Sequence, residues 1–207
     1  MLLSGGIDSA TCLYLSKSKG ILNRALTVRF YRIADREVES AKTIAKAAGV
    51  EEHRFVSLPE LREVGDMKRP GKLDGLPQAY IPMKNAIYYS VAAAFAEETG
   101  AERIVGGHNL EDTKIYEDTG DEFFGNLEKT LRSGSGRLRT NGLTIWRPLR
   151  ALDKPAVVSL ATKLGVPLEA TWSCHGEGEE HCWRCVGCLR REQAFIEAGV
   201  LDPLKAR

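Results

Sequence analysis

No apolar run in this 207-residue chain approaches the length of a membrane span, which excludes a helical membrane protein. Charge of either sign is not in excess. The 29 Lys and Arg against 28 Asp and Glu leave a net charge of +1, so no overall field draws the chain to nucleic acid, and only a local basic patch stays open. Internal repeats are absent. Cysteine is nearly absent from the first 173 residues, where Cys12 stands alone. A disulfide framework is therefore not expected. No lysine follows the early Gly5-Gly6 pair, which excludes a kinase-type GxxxxGK[ST] loop. The first motif begins so early that no signal peptide has room before it, and a cytoplasmic protein is expected. What is present is ordinary for a soluble globular chain: 43% hydrophobic and 28% charged residues. The length allows one well-filled core with a small appendage.

The most informative run is Met1-Leu2-Leu3-Ser4-Gly5-Gly6-Ile7-Asp8-Ser9. An apolar strand breaks into Ser-Gly-Gly, and a helical pattern begins near Asp8. Backbone N–H groups at such a turn point outward and, with the positive end of the helix dipole, suit phosphate. Ser4 and Ser9 can donate hydroxyls, and Asp8 suits the Mg²⁺ that accompanies a nucleotide. With only Met1–Leu3 ahead of the loop, the first strand is either short or lacks residues upstream. Ser4–Ser9 resembles the SGGxDS pyrophosphate loop of ATP pyrophosphatases, which cleave ATP to AMP and pyrophosphate.

The four remaining cysteines form C-x7-C-x2-C-x2-C: Cys174, Cys182, Cys185 and Cys188. This spacing suits a closed, structural tetrahedral Zn²⁺ site, with an iron–sulfur cluster as its rival. His175 and His181 flank the ligands, and Gly187 is expected to let the chain turn between them.

Between these ends, strand and helix patterns alternate. Helices are expected at 8–19, 34–48, 83–99, 153–164 and 189–198, and strands at 25–30, 53–58, 103–107 and 144–146. In the 83–99 helix, Ile87, Val91, Ala94 and Phe95 are expected to face inward. Segment 65–79 reads as a loop. Segment 108–142 reads as a polar insertion mixing loop with a helix near 123–131. The fold class is α/β: a parallel-sheet, Rossmann-like adenine-nucleotide-binding domain at 1–150, and a small C-terminal helical, zinc-binding appendage at 151–207. Gly106, Gly107, His108 and Asn109 follow a later strand and are expected at the same ligand edge as the loop.

The loop and the tail Leu168-Glu169-Ala170-Thr171-Trp172-Ser173-Cys174, with Cys182, Cys185, Cys188 and Arg191, resemble the 7-cyano-7-deazaguanine synthase family (QueC). Pro148-Leu149 through Lys154 to Leu164-Gly165 is similar to the family's PL…K…LA…LG-x-P segment. Ile81-Pro82-Met83-Lys84-Asn85 is similar to its [VI]P-x-RN step, with Lys84 in place of Arg. The resemblance implies an ATP-dependent ligase of queuosine biosynthesis. A deazapurine carboxylate, 7-carboxy-7-deazaguanine, is adenylated, aminated by ammonia and dehydrated to the nitrile. It implies ATP, Mg²⁺ and Zn²⁺, and a homodimer is expected. Asp8, Lys84 and Lys154 are the expected catalytic residues. Ser4, Gly5, Gly6, Asp8, Ser9, Gly106 and Asn109 are the expected nucleotide contacts, and the four tail cysteines the zinc ligands. Two segments depart from the family pattern: Val28–Glu37 stands where it carries FDYGQRH, and Gly107–Thr119 where it carries a SGYPDCR-like segment.

Single residues keep plainer alternatives. Lys154 is equally a helix-start lysine. Asn109 reads a base edge or caps a turn. Glu111 and Asp112 contact a second metal or substrate, or form a polar loop face. Arg29 and Arg32 contact a ligand or are solvated. Cys12 is read as a buried helix residue, and Trp172 as packing on the zinc knuckle. Three other functions remain open. One is the same ATP chemistry on another carboxylate, of a nucleobase or a protein. Another is tRNA thiolation, which needs thiols or a cluster facing the loop. The last is nucleotide binding without catalysis.

Overall fold

The structure is a computed structural model, and it describes residues 1–21, 24–30, 35–59, 81, 83–176 and 178–205. The proposed loop at 65–79, Arg32 and Pro82 lie outside the described residues. No described helix is long and apolar enough to cross a membrane.

β1 (Arg24–Arg29) pairs in parallel with β2 (Glu52–Ser57), and β3 (Arg103–Val105) pairs in parallel with β4 (Thr144–Trp146). Met1–Leu3 joins the two pairs. The Leu3 amide donates to the Leu26 carbonyl at 2.9 Å, the Leu26 amide to Met1 at 2.8 Å, and the Leu2 amide to Val105 at 3.0 Å. The spatial order is therefore β2, β1, the N-terminal segment, β3, β4. Chain order reverses between Met1–Leu3 and β3. In such sheets ligands bind at the carboxyl ends of the strands beside the reversal, which here are Ser4–Ser9 and Gly106–Asn109.

Side chains alternate along the strands and fill two layers. Leu3, Ala25 and Val105 face one buried cluster. It is completed by Ile7, Ala10 and Leu13 of α1 (Ile7–Ser18), Ala41, Ile44 and Ala45 of α2 (Asp35–Ala48), Val157, Val158 and Ala161 of α7 (Lys154–Lys163), and Ala194 and Phe195 of α8 (Val186–Glu197). The C-terminal helices thus share one core with the helix that starts at the phosphate loop. Leu26, Val28 and Ile104 face the other cluster, with Tyr89, Ala92, Ala93 and Ala96 of α3 (Lys84–Thr99), Phe124 of α5 (Asp121–Gly134) and Leu138 of α6 (Gly136–Asn141).

Two expectations need correction. The buried face of α3 is Asn85, Tyr89, Ala92, Ala93 and Ala96; of the expected Ile87, Val91, Ala94 and Phe95, only Val91 packs, partly buried, against the core. This helix is apolar nearly all round, so hydrophobic spacing cannot choose its inner face. Phe95 instead carries the Arg54 guanidinium, 4.1 Å from the ring centre. Segment 108–142 is mostly helical: α4 (Leu110–Ile115), a 3₁₀ turn at Glu117–Thr119, then α5 and α6. Its glycines read as loop. Phe123, Phe124, Leu127 and Leu131 nevertheless lie along one stripe packed into the second cluster, and that burial outweighs the glycine cost of about 1 kcal/mol each.

The C-terminal helix is anchored by a buried ion pair. Arg191, 1% exposed, donates to both carboxylate oxygens of Asp202 (2.6 and 2.9 Å), to Thr171 Oγ1 (2.7 Å) and to the Leu168 carbonyl (3.0 Å). Removing one partner of such a pair strands the other charge. Arg191→Met is therefore expected to cost about 3 kcal/mol or more, measured by denaturant unfolding against Asp202→Asn and the double mutant.

Candidate active site

The loop is shaped by its own hydroxyls. Ser9 Oγ accepts from the Ser4 amide (3.2 Å), lies 3.1 Å from Ser4 Oγ, and donates to the Gly6 carbonyl (3.1 Å). Ser4 Oγ accepts from the Gly6 amide at 3.3 Å. Gly6 caps α1 without any side-chain cap, so the first-turn amides of α1 are open to an anion. Gly5 has φ +89°, and a Cβ there would run into the α2 backbone at the Glu37 carbonyl and the Ala41 amide. No other residue type fits that turn. The Gly5 carbonyl accepts from Ser40 Oγ (2.8 Å) and from the Trp172 amide (3.0 Å).

Asp8, on the first turn of α1, pairs with the Lys154 ammonium at the start of α7 and accepts from Asn109 Nδ2 at 3.4 Å. Three separate chain segments thus meet at one carboxylate. Asn109 is chiefly a cap. Its side-chain oxygen accepts from the Glu111 and Asp112 amides (2.9 and 3.1 Å), and the Asp112 carboxylate accepts from the Asn109 amide (3.0 Å). Glu111 Oε1 accepts from the Lys154 amide (3.0 Å), fixing α7 to α4. Gly106 lies beside Tyr89, and its carbonyl accepts from the Cys12 thiol at 3.7 Å. Burial pushes the Cys12 thiol far up, so it lies inert beneath the loop. Arg29 pairs with the exposed Asp35 at 2.9 Å.

Two clefts adjoin here. The first, about 220 Å³, is lined by Ser4, Asp8, Ser9, Tyr88, Tyr89 and Gly107 among others. Asp8 is its one carboxylate among the described residues. A single carboxylate beside a phosphate nest fits Mg²⁺, which is held by one or two carboxylates together with the phosphates it accompanies. The Tyr88 and Tyr89 hydroxyls are buried without a hydrogen-bond partner, leaving two orphaned donors in that wall. The second cleft, about 270 Å³, contains Ile81, Asp112, Tyr116, Asp118 and Thr119. Lys84, Asn85 and His108 line both. A larger cavity, about 500 Å³, sits at the opposite edge, near Arg24, Arg103 and Thr144, and contains none of the loop residues.

Electrostatics mark the shared wall. Burial lowers the Lys84 ammonium's pKa, while Asp118, Glu37 and Asp112 pull it back up. Burial pushes Glu37 up to about 7, against the pull of Lys84. His108 is lowered to about 4 by burial and by the nearby Arg147 and Lys84 charges, so its imidazole is neutral at pH 7. Burial and the Asp8 charge raise Asp112. Glu37 and Asp118 were not singled out from sequence. Asp118 lies in the Gly107–Thr119 segment that departs from the family pattern, which was the available signal. Glu37 carried none.

The four tail cysteine sulfurs all lie within 4.8 Å of one another, with Cys182–Cys188 and Cys174–Cys185 at 4.0 Å. Zinc–thiolate bonds of about 2.3 Å place the sulfurs of a tetrahedron roughly 3.8 Å apart, so the donor set fits a tetrahedral thiolate-bound metal. Backbone amides of Gly176, Cys182, His175 and Cys188 point at these sulfurs (3.2–3.5 Å). Such bonds favour thiolates. His181 turns away from ligation: its Nε2 accepts from the Ser173 amide at 3.1 Å, and its ring lies against Trp172. Gly187 serves close approach rather than a turn, since a Cβ would strike the Ser173 carbonyl and, at 2.9 Å, His175 Nε2. Trp172 links the knuckle to the loop, donating from Nε1 to the Cys174 carbonyl (2.8 Å) and from its amide to Gly5.

A family model described as "Queuosine biosynthesis protein QueC" matches residues 1–199. A 7-cyano-7-deazaguanine synthase of Oceanobacillus iheyensis is 36% identical over 214 residues, covering 99% of this chain and 96% of that protein. One from Thermoplasma acidophilum is 37% identical over 216 residues, covering 99% and 90%. Among solved structures, the NMN synthetase of Francisella tularensis matches with TM-score 0.55 at 19% identity, covering 97% of this chain and 76% of that one. The U34-tRNA thiolase NcsA of Methanococcus maripaludis, solved with its [4Fe-4S] cluster, matches with TM-score 0.52 at 18% identity, covering 95% and 62%. These two likenesses show the fold.

Proposed function

The chain belongs to the QueC family of queuosine biosynthesis proteins, and from that premise we propose how its site performs the family's reaction. The reading is an ATP-dependent ligase that converts 7-carboxy-7-deazaguanine and ammonia to 7-cyano-7-deazaguanine. The observation that carries it is the meeting of Asp8, Lys154 and Asn109 beside an uncapped Ser4–Ser9 turn.

A carboxylate is a poor electrophile, and adenylation gives it a leaving group. Its oxygen attacks the α-phosphorus of ATP, and the bond to pyrophosphate breaks. Ser4, Ser9 and the first amides of α1 take up the charge on the departing pyrophosphate, with Lys154 beside them. Asp8 would hold Mg²⁺, which supplies charge neutralisation on the phosphates. Asn109 positions Asp8 and braces α4. Lys84, partly buried between the clefts, supplies positive charge where the substrate carboxylate must pass. Ammonia then displaces AMP to give the amide. A second ATP activates the amide oxygen, and loss of a proton and AMP leaves the nitrile.

The cysteine cluster would hold one Zn²⁺ in a structural role, because four thiolates leave no open position. The tRNA-thiolating alternative is disfavoured by the buried Cys12 and by the commitment of the other four thiols to one cluster. A homodimer remains part of the proposal, checked by molar mass in solution. The function is tested by supplying 7-carboxy-7-deazaguanine, ATP and ammonium and following nitrile and AMP by mass spectrometry. AMP release with a different carboxylate and none with this one would move the enzyme to another substrate.

A further inference from the structure

We propose that Asp118 reads the donor edge of the deazaguanine ring in the second cleft, with the 7-carboxylate turned past Lys84 toward the phosphate loop. The inference rests on the ligase reading above and adds the substrate's orientation and the residue that selects its base.

The order of groups across the two clefts sets the orientation. The loop residues Ser4, Asp8 and Ser9 line only the first cleft, and Asp112, Tyr116 and Asp118 line only the second. Lys84, Asn85 and His108 form the wall between them. The reacting carboxylate must reach the α-phosphate, so it belongs on the loop side of that wall. A flat bicyclic acid entering this way leaves its pyrimidine half in the second cleft. That half carries two adjacent donors, N1–H and the 2-amino group, which match a carboxylate.

Asp118 is built to meet them. It is 8% exposed and held on two sides: its Oδ2 accepts from the Asn85 amide (3.1 Å), and its carbonyl accepts from Asn85 Nδ2 (3.0 Å). A carboxylate has about four acceptor positions. Oδ1 has no hydrogen-bond donor among the described residues, and Oδ2 keeps a free lone pair. Asp112 is less suited. One of its oxygens closes the α4 capping box, and burial and the Asp8 charge raise its pKa. His108, neutral and with no hydrogen bond to its ring nitrogens among the described residues, can meet a ring heteroatom from the shared wall. Asp118 would repel O6 and the 7-carboxylate, while Lys84 attracts both. The two charges therefore favour one orientation of the ring.

The test compares substrates on the wild-type enzyme and on Asp118→Asn, by steady-state AMP release. Replacing the 2-amino group of the acid by hydrogen is expected to raise KM for the wild type by roughly 10- to 100-fold, the cost of a buried acceptor left unpaired. Asp118→Asn should raise KM for the natural acid similarly and leave KM for ATP and ammonium unchanged. It should also improve use of the 2-oxo analogue, whose acceptor meets the new amide donor. Zinc content and melting temperature report whether the variant folds, and the desamino comparison needs no variant. Wild-type turnover indifferent to the 2-amino group would overturn this inference alone. A raised KM for ammonium with an unchanged KM for the acid would also overturn it, making the second cleft an ammonium site. No AMP from the wild type with the deazaguanine acid would overturn the ligase reading, and this inference with it.

Discussion

Asp8→Ala is expected to lower the rate of AMP formation by roughly 10³-fold, the scale seen when one preorganised electrostatic group is removed from an active site. The loss should appear in kcat more than in KM for ATP. Without Asp8, the Lys154 ammonium loses its carboxylate partner and is free to face the phosphates, so nucleotide binding keeps a cation while the site loses the carboxylate proposed to hold Mg²⁺. The fold should survive. The two side chains are 22% and 23% exposed, and a partly open ion pair of this kind contributes about 1 kcal/mol, near the upper end of the range for exposed pairs. Thermal unfolding should therefore move little while pyrophosphate release collapses. A variant that releases AMP at the normal rate would remove Asp8 from the mechanism. A variant that is inactive but also unfolded would assign the ion pair a structural role instead.

The sequence displayed the two ends of this site more clearly than its middle. Ser4–Ser9 is local chemistry, because the glycines, the hydroxyls and the helix start fall within one turn, and the structure forms that turn with the same residues. The short strand Thr144–Trp146 and the Asp153-capped helix after it were also legible, since Pro148 and the cap residue punctuate them. The helices between Leu110 and Asn141 were less legible, although Asn109 and Asp112 form a capping box whose spacing was visible in the chain. Their glycines and charges masked a stripe that becomes apolar only when docked on α3. The inner face of α3 was hidden for the opposite reason, too many apolar residues rather than too few. The second cleft was legible only in part: Lys84 was expected in catalysis, His108 at the ligand edge and Asp112 as a metal or substrate contact, but nothing along the chain joined them to Asp118. Asp118, Lys84 and His108 become neighbours only through the order of strands, and no spacing along the chain encodes that order. The contact between Trp172 and Gly5 is of the same kind: two motifs at opposite ends of the sequence share one backbone hydrogen bond.

That hydrogen bond gives the last prediction. Removing the metal proposed for the cysteine cluster, by a chelator or by Cys185→Ser, is expected to disable the phosphate loop as well as loosen the tail. Cys185 caps α8 by accepting from the Cys188 amide (3.5 Å), and its sulfur also accepts from the His175 amide (3.4 Å). With no metal, four thiols packed within 4.8 Å have nothing to hold them together. The chain from Trp172 to Cys185 then has little apolar burial of its own: Cys174 is its one fully buried residue among those described. Structural zinc sites contribute about 10 kcal/mol or more to the folding of small zinc domains. If only about 4 kcal/mol of that reaches global unfolding, the melting temperature should fall by roughly 8–16 °C for a chain of this size. Hydrogen exchange gives the finer test. Amides of 172–188 should exchange first. The Gly5 turn should follow, because the Trp172 amide no longer restrains its carbonyl, while β1 and β2 stay protected. ATP affinity should fall together with loop protection. Elemental analysis on the untreated protein should find about one zinc per chain for a filled Cys₄ site, and iron with visible absorbance would change the metal while leaving the coupling intact. Loss of metal with an unchanged melting temperature and full protection of the Ser4 and Gly6 amides, the hydrogen-bonded amides of that turn, would show that the tail and the loop are independent.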